Sequence, residues 1–196
     1  MGSEARAKQI GIRPYQEKDQ QAVRGICIAT SGLPVKTQRQ KELLLLQYCD
    51  YYLEQEPDAC FVAVDETDTP IGYILCAKEY HAYRRRFLER YLPRIRALSV
   101  WRAVAARAEV GLTGRYAERY PAHMHIDILD AYQRMGIGHR LVDTLAACLA
   151  GQNVKGLMLS VGSTNQKGVN FYKKYGFQRI GTAAFGSIVV MGLRLS

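Results

Sequence analysis

The chain has 196 residues, 48% of them hydrophobic and 23% charged, so the weak hydrophobicity and high charge of a disordered chain are absent. Its formal net charge of +9 directs attention to anionic partners, and its apolar runs, such as the four leucines at 43–46, fall far short of the ~20 residues that cross a bilayer. This length suits one domain, 1–196, carrying one insertion, with a core that holds without disulfide staples.

In chain order, residues 10–14 read as a short strand. Residues 19–30 read as a helix with Ala22, Val23, Ile26 and Cys27 on one side, punctuated by Gly32 and Pro34. Residues 41–54 predict a second helix, with Leu44, Leu45, Tyr48 and Tyr52 on its apolar face. Residues 60–65 and 71–77 predict two strands joined by a turn.

A basic helical insertion follows at about 80–121. It holds Arg84, Arg85, Arg86, Arg90, Arg94, Arg96, Arg102, Arg107, Arg115 and Arg119 against Glu89, Glu109 and Glu118, a net +7 of the chain's +9. Phe87, Leu88, Tyr91, Leu92 and Ile95 share one helical face. Pro93 is expected to break the pattern, and Trp101, Val104, Ala105 and Ala108 to continue it. This predicts two amphipathic helices with a solvated arginine face, or a cationic surface for an acidic substrate, a cofactor's phosphates or nucleic acid. No RNA-binding motif or zinc finger accompanies it, which disfavours nucleic acid.

Beyond the insertion, AHMHIDIL at 122–129 alternates like a strand. Residues 138–150 predict a helix with Leu141, Val142, Leu145 and Leu149 on one face. A strand at 155–161, a helix at 165–175 stopped by Gly176, and strands at 177–181 and 188–194 complete the chain. The pattern gives an α+β fold with a mixed sheet. The start, MGSEARAKQI, has no apolar stretch of the kind a secretory leader needs. Cys27, Cys49, Cys60, Cys76 and Cys148 are odd in number and widely spaced. They predict free thiols in an intracellular protein rather than a disulfide framework or a zinc site.

The most informative stretch is 132–139, YQRMGIGH, where a strand ends and two glycines open an amphipathic helix. Unpaired N–H groups and the helix dipole make such a start an anion site. Arg134, His139 and Arg140 add charge nearby. The spacing fits neither the dinucleotide fingerprint nor the Walker pattern.

Residues 133–138, QRMGIG, resemble motif A of the GNAT acetyltransferases, Q/R-x-x-G-x-G/A. Downstream, Asn165, Gly168, Phe171, Tyr172, Gly176 and Phe177 resemble that superfamily's N-x-x-A-x-x-h-Y-x-x-x-G-F element, with glycine at 168 where alanine is commoner. The resemblance covers residues 122–177. It implies a mixed, mostly antiparallel sheet of about seven strands, flanked by helices and splayed at an acetyl-CoA site. It implies that Gln133, Arg134, Met135, Gly136, Ile137 and Gly138 hold the cofactor's pyrophosphate through their backbone. The pantetheine arm would pair with Asp127, Ile128 and Leu129, and Asn165 would contact the cofactor. Tyr172 takes the place of the general acid that protonates the departing thiolate, a task a neutral O–H can perform.

An amine acceptor must lose a proton before it attacks a thioester. Some relatives use a glutamate five residues before the asparagine; here that position is Ser160, so the role is not carried over. His123, His125 and Asp127 alternate and share one face of their strand. Asp127 or His125 is therefore the expected base, with a hydrogen-bonded polar cluster as the alternative. The His-x-His-x-Asp run also resembles the acetyltransferase-like domain of O-GlcNAc hydrolases and its free-standing microbial relatives, some of which have lost cofactor binding. Gln133, Gly136 and Gly138 are all present here. Tyr80, His81, Tyr83 and His123 are candidates for lining the pocket of a small-molecule or peptide amine acceptor. The expected function is direct N-acetyl transfer without a metal. The rivals are an acyl-CoA-binding or protein-interaction module and a nucleic-acid-associated protein. Self-association into a homo-oligomer is left open.

Overall fold

A computed structural model describes residues 10–32 and 34–195; most of the segment read for a leader lies outside them. Seven strands form one sheet: β1 (Gly11–Pro14), β2 (Phe61–Val64), β3 (Pro70–Ala77), β4 (Ala122–Ile128), β5 (Gly156–Gly162), β6 (Gln178–Ala183) and β7 (Ile188–Arg194). Their order is β1-β2-β3-β4-β5-β7-β6. Every neighbouring pair is antiparallel except β4 and β5, which are parallel. Those two pair only at Ala122–Leu157 and His123–Met158, and then diverge. The remaining length of β4 faces a gap, the splay that the resemblance implies.

One face of the sheet is covered by α7 (Ile137–Gly151). Its Leu141, Val142, Leu145 and Leu149 are fully buried against Met124, Leu157 and Leu159. Each such side chain contributes about 1.5–3 kcal/mol by leaving water, so this stripe holds the helix whose start forms the turn at 133–138. The other face carries α1 (Gln20–Thr30), α2 (Gln38–Tyr48), α3 (Asp50–Gln55) and the insertion. Alternation along β4 sends Met124 toward α7 and His123, His125 and Asp127 toward this second layer.

The single helix expected at 41–54 is two. Thr37 starts α2 early through a capping box: its hydroxyl accepts from the Gln40 amide at 3.2 Å, and the Gln40 side chain accepts from the Thr37 amide at 3.0 Å. At Cys49 the backbone leaves the helical region (φ −132°, ψ −61°). The break re-aims α3, which buries Tyr51, Tyr52 and Leu53 together.

The insertion contains α4 (Tyr80–Arg86), a π turn over Phe87–Tyr91, α5 (Leu92–Leu98) and α6 (Val100–Gly111). Pro93 does not break the pattern. It sits in the first turn of α5, where its missing N–H is no loss. The break falls at Ser99, which is extended (φ −162°) and caps α6 by accepting from the Arg102 amide at 3.4 Å. The buried face of α6 is Ala103, Ala106 and Val110. Trp101, Val104, Ala105 and Ala108 face solvent instead, and Trp101 is 84% exposed. Small side chains let α6 lie close to its neighbours, whereas the large ones do not fit there.

Candidate active site

After β4 the chain makes a 3-10 turn over Asp130–Tyr132, and then α7 begins with Gly136 as its cap in the left-handed region (φ +75°). A Cβ there would meet nothing within 4 Å, so the position is open but conformationally reserved for glycine. Among the described residues, no protein acceptor takes the N–H groups of residues 134–139. The Gln133 amide is already used, donating to Asp130 O at 3.2 Å. The Gln133 side chain folds back onto Ile128 O (3.1 Å) and Asp130 (2.8 Å). Arg140 donates to Ile10 O at 3.0 Å, and His139 packs edge-on against Phe171, so neither simply points to the turn. The unpaired donors, the helix dipole and the open glycine suit a diphosphate.

The open edge of β4 runs from this turn to the closed end of the gap. The Leu129 amide donates to Ile71 O at 3.0 Å. In an antiparallel ladder bonded pairs alternate, so Asp127, like Leu129, turns its peptide to β3. Of the three residues expected to pair with a pantetheine arm, only Ile128 faces the gap with its peptide. Ile126 is the other residue that does.

Asp127 accepts from the Tyr73 hydroxyl at 2.5 Å. Burial holds its carboxyl above the usual carboxylate range, against the opposing effect of that hydrogen bond. Tyr52 bridges the two histidines, with His123 Nε2 at 2.9 Å and His125 Nε2 at 3.0 Å from its hydroxyl. Burial pushes His125 down to about 4. Burial and then the neighbouring His125 push His123 down to about 3. Both are neutral at pH 7. Because these folded values lie below ~6.5, the unfolded chain takes up protons first and stability falls as pH drops from 6.5 toward 4. Thermal melts should show Tm declining through that window, with a shallower slope in His125→Gln. Equal slopes would contradict the assignment.

Tyr172 lies on α8 (Gln166–Tyr175), half-buried, its ring against Phe171 and Phe177. No protein group among the described residues bonds its hydroxyl. Burial raises its pKa first, and the charge of Asp127 adds to the rise, so it stays protonated. Asn165 caps α8, its Oδ1 accepting from the Gly168 amide at 2.9 Å.

At the closed end of the gap lies a cleft of about 70 Å³. Strands β4 and β5 contribute His123, His125 and Ser160; α4 contributes Tyr83; α2 and α6 contribute Tyr48 and Glu109. Two sequence candidates are elsewhere. Tyr80 is buried with Ala117, Tyr120 and Met158, and its hydroxyl donates to Val110 O at 2.6 Å. His81 is exposed beside it. Glu109, Tyr48 and Tyr52 were not singled out for chemistry in the sequence. In the pattern Glu109 is merely one of three acids among ten arginines. The one available signal was its isolation among small apolar residues near the end of α6.

Residues 30–177, most of the chain, match the Acetyltransferase (GNAT) family. Among solved structures, SsHAT is 23% identical, with a TM-score of 0.82 over 95% of this chain and 98% of that one. PH1933 from Pyrococcus horikoshii OT3 is 20% identical, with a TM-score of 0.68 over 96% and 99%. The NatC complex bound to Gag peptide and CoA is 16% identical, with a TM-score of 0.60 over 96% and 99%. At these identities the likeness is one of fold. Among the described residues no helix is long and apolar enough to cross a membrane. On the match of residues 30–177, and with the splayed seven-stranded sheet, the chain belongs to the GNAT acetyltransferase family, whose members use acetyl-CoA.

Proposed function

We propose that the chain is an N-acetyltransferase that passes acetyl directly from acetyl-CoA to a primary amine. The observation that carries this is the row of unpaired amides at 134–139, placed at one end of an open strand edge whose other end reaches a cleft. Residues 1–196 act as one domain, and the insertion at 80–121 walls the acceptor side. When bound, acetyl-CoA supplies a thioester carbonyl and a thiolate leaving group.

The protein's own groups hold and move the protons. Amides 134–139 hold the diphosphate, and the peptides of Ile126 and Ile128 pair with the arm. Asp127, raised by burial and positioned by Tyr73, takes the proton that the amine gives up as its C–N bond forms. Tyr172 gives its proton to sulfur as the C–S bond breaks. His125, bound to Tyr52 and pushed down to about 4 by burial, is the alternative base. Cys148 sits on α7, with its thiol near Asp58 O and Gln152, outside the cleft lining, so no acyl-enzyme is invoked.

Asp127→Asn should lower turnover ~100-fold and remove the acid limb of the kcat/KM profile. That limb in the wild type lies above the usual carboxylate range. Folding penalises the charged form of Asp127, so stability falls as pH rises through its raised pKa, and the asparagine variant should melt no lower at pH 7. A wild-type rate would remove Asp127 from the proton path. The overall reading is tested by thiol release from acetyl-CoA against a panel of amines. Release with at least one acceptor is expected. Tight acetyl-CoA binding with no release on any amine would favour a binding module.

A further inference from the structure

The cleft at the closed end of the gap contains a carboxylate that no strand supplies. We propose that Glu109 recognises the positive charge of the acceptor, and that the acceptor presents a slender alkylammonium group. This rests on the acetyl-transfer reading above and names its substrate class.

Glu109 accepts from Gln47 Nε2 at 2.5 Å and from the Tyr48 hydroxyl, 3.0 Å from each carboxylate oxygen. Arg102, the nearby cation on the same helix, donates to Gln47 Oε1 at 3.2 Å. Among the described residues no lysine or arginine forms an ion pair with Glu109. A half-buried carboxylate hydrogen-bonded by neutral donors only is costly, and an arriving cation offsets that cost.

The rest of the wall suits the same guest. Tyr48, Tyr52 and Tyr83 provide aromatic surface, which attracts ammonium groups. His123 also lines the cleft, and its Nδ1 is buried without a partner. Tyr52 has one hydroxyl proton and has two imidazoles and the Tyr83 hydroxyl as partners, so at least one of the two rings donates its Nε2–H to Tyr52. When His123 is the donor, its Nδ1 is a bare acceptor for an ammonium N–H. A space of about 70 Å³ takes a few heavy atoms and refuses a sugar or an aromatic ring. Ser160, where some relatives place a glutamate, lines the same cleft, so the negative charge enters from the insertion instead. Burial raises the Glu109 pKa; Tyr48, Arg102, Tyr83, His123 and His125 are the other titratable groups facing it.

The test has two arms. In the first, n-butylammonium is titrated into the protein, and the His123 and His125 imidazole resonances are followed by NMR. Saturable shifts are expected in the wild type, weakened at least tenfold in Glu109→Gln. Ser160→Arg, which brings its own cation to the cleft, should abolish them and serves if the first variant does not fold. In the second arm, the KM for n-butylamine and for the slender, neutral O-ethylhydroxylamine is measured at saturating acetyl-CoA. Glu109→Gln should raise the first at least tenfold and leave the second within twofold. Absence of n-butylammonium binding overturns the proposal, as does an equal rise in both KM values. Binding without any acetyl transfer would leave the Glu109 site standing and remove the enzymatic reading. Transfer to O-ethylhydroxylamine without alkylammonium binding would do the reverse.

Discussion

Gly136→Glu is expected to weaken acetyl-CoA binding at least 100-fold while leaving the protein folded. The residue caps α7 at φ +75°, and a side chain there meets open space rather than a neighbour. The folded chain bears the strain of a non-glycine residue in the left-handed region, about 1–2 kcal/mol. A carboxylate at a helix start returns about 0.3–1 kcal/mol through the dipole. With about 2–4 °C of Tm per kcal/mol at this chain length, melting should drop by only a few degrees. The same carboxylate occupies the place of the diphosphate and repels it. Calorimetry on the folded variant separates the two effects, and unchanged affinity would contradict the placement of the cofactor.

Tyr172→Phe should cut turnover by about 10²–10⁴-fold with little change in acetyl-CoA affinity. The ring keeps its packing against Phe171 and Phe177. The hydroxyl has no protein partner among the described residues, so its loss strands no buried group and the melting temperature should hold. What disappears is the proton for the departing sulfur. Burial and the charge of Asp127 keep that proton on the oxygen through neutral pH, so the defect should persist across the working range. A wild-type rate at every pH would show that Tyr172 only packs.

The part of the chain from β4 onward was legible because its residues agree at every level. Strict alternation along 122–129 matches a strand between two layers, and Leu141, Val142, Leu145 and Leu149 mark one helical stripe. The glycine at 168, a departure from the family's alanine, has a local cause: a Cβ there would sit 2.9 Å from the Asn165 side chain that caps the helix. The insertion was harder to read. Ala103 and Ala106 are no more apolar than Ala105 and Ala108, so hydropathy pointed to the face that carries Trp101, while tertiary packing chose the slimmer one. Pro93 has the residue type of a break, but its position in the first turn of α5 removes the penalty. The cleft beside β4 was the least legible part. It is assembled from α2, α4, α6, β4 and β5, and only packing brings Glu109 to the strand that carries the histidines.

The most direct measurement is an amide NMR titration of the isotope-labelled protein with CoA. Saturable shifts concentrated at residues 134–139, with smaller ones at Ile126 and Ile128, are predicted. Saturation that leaves 134–139 unmoved, or no binding at millimolar CoA, would contradict the account at its foundation.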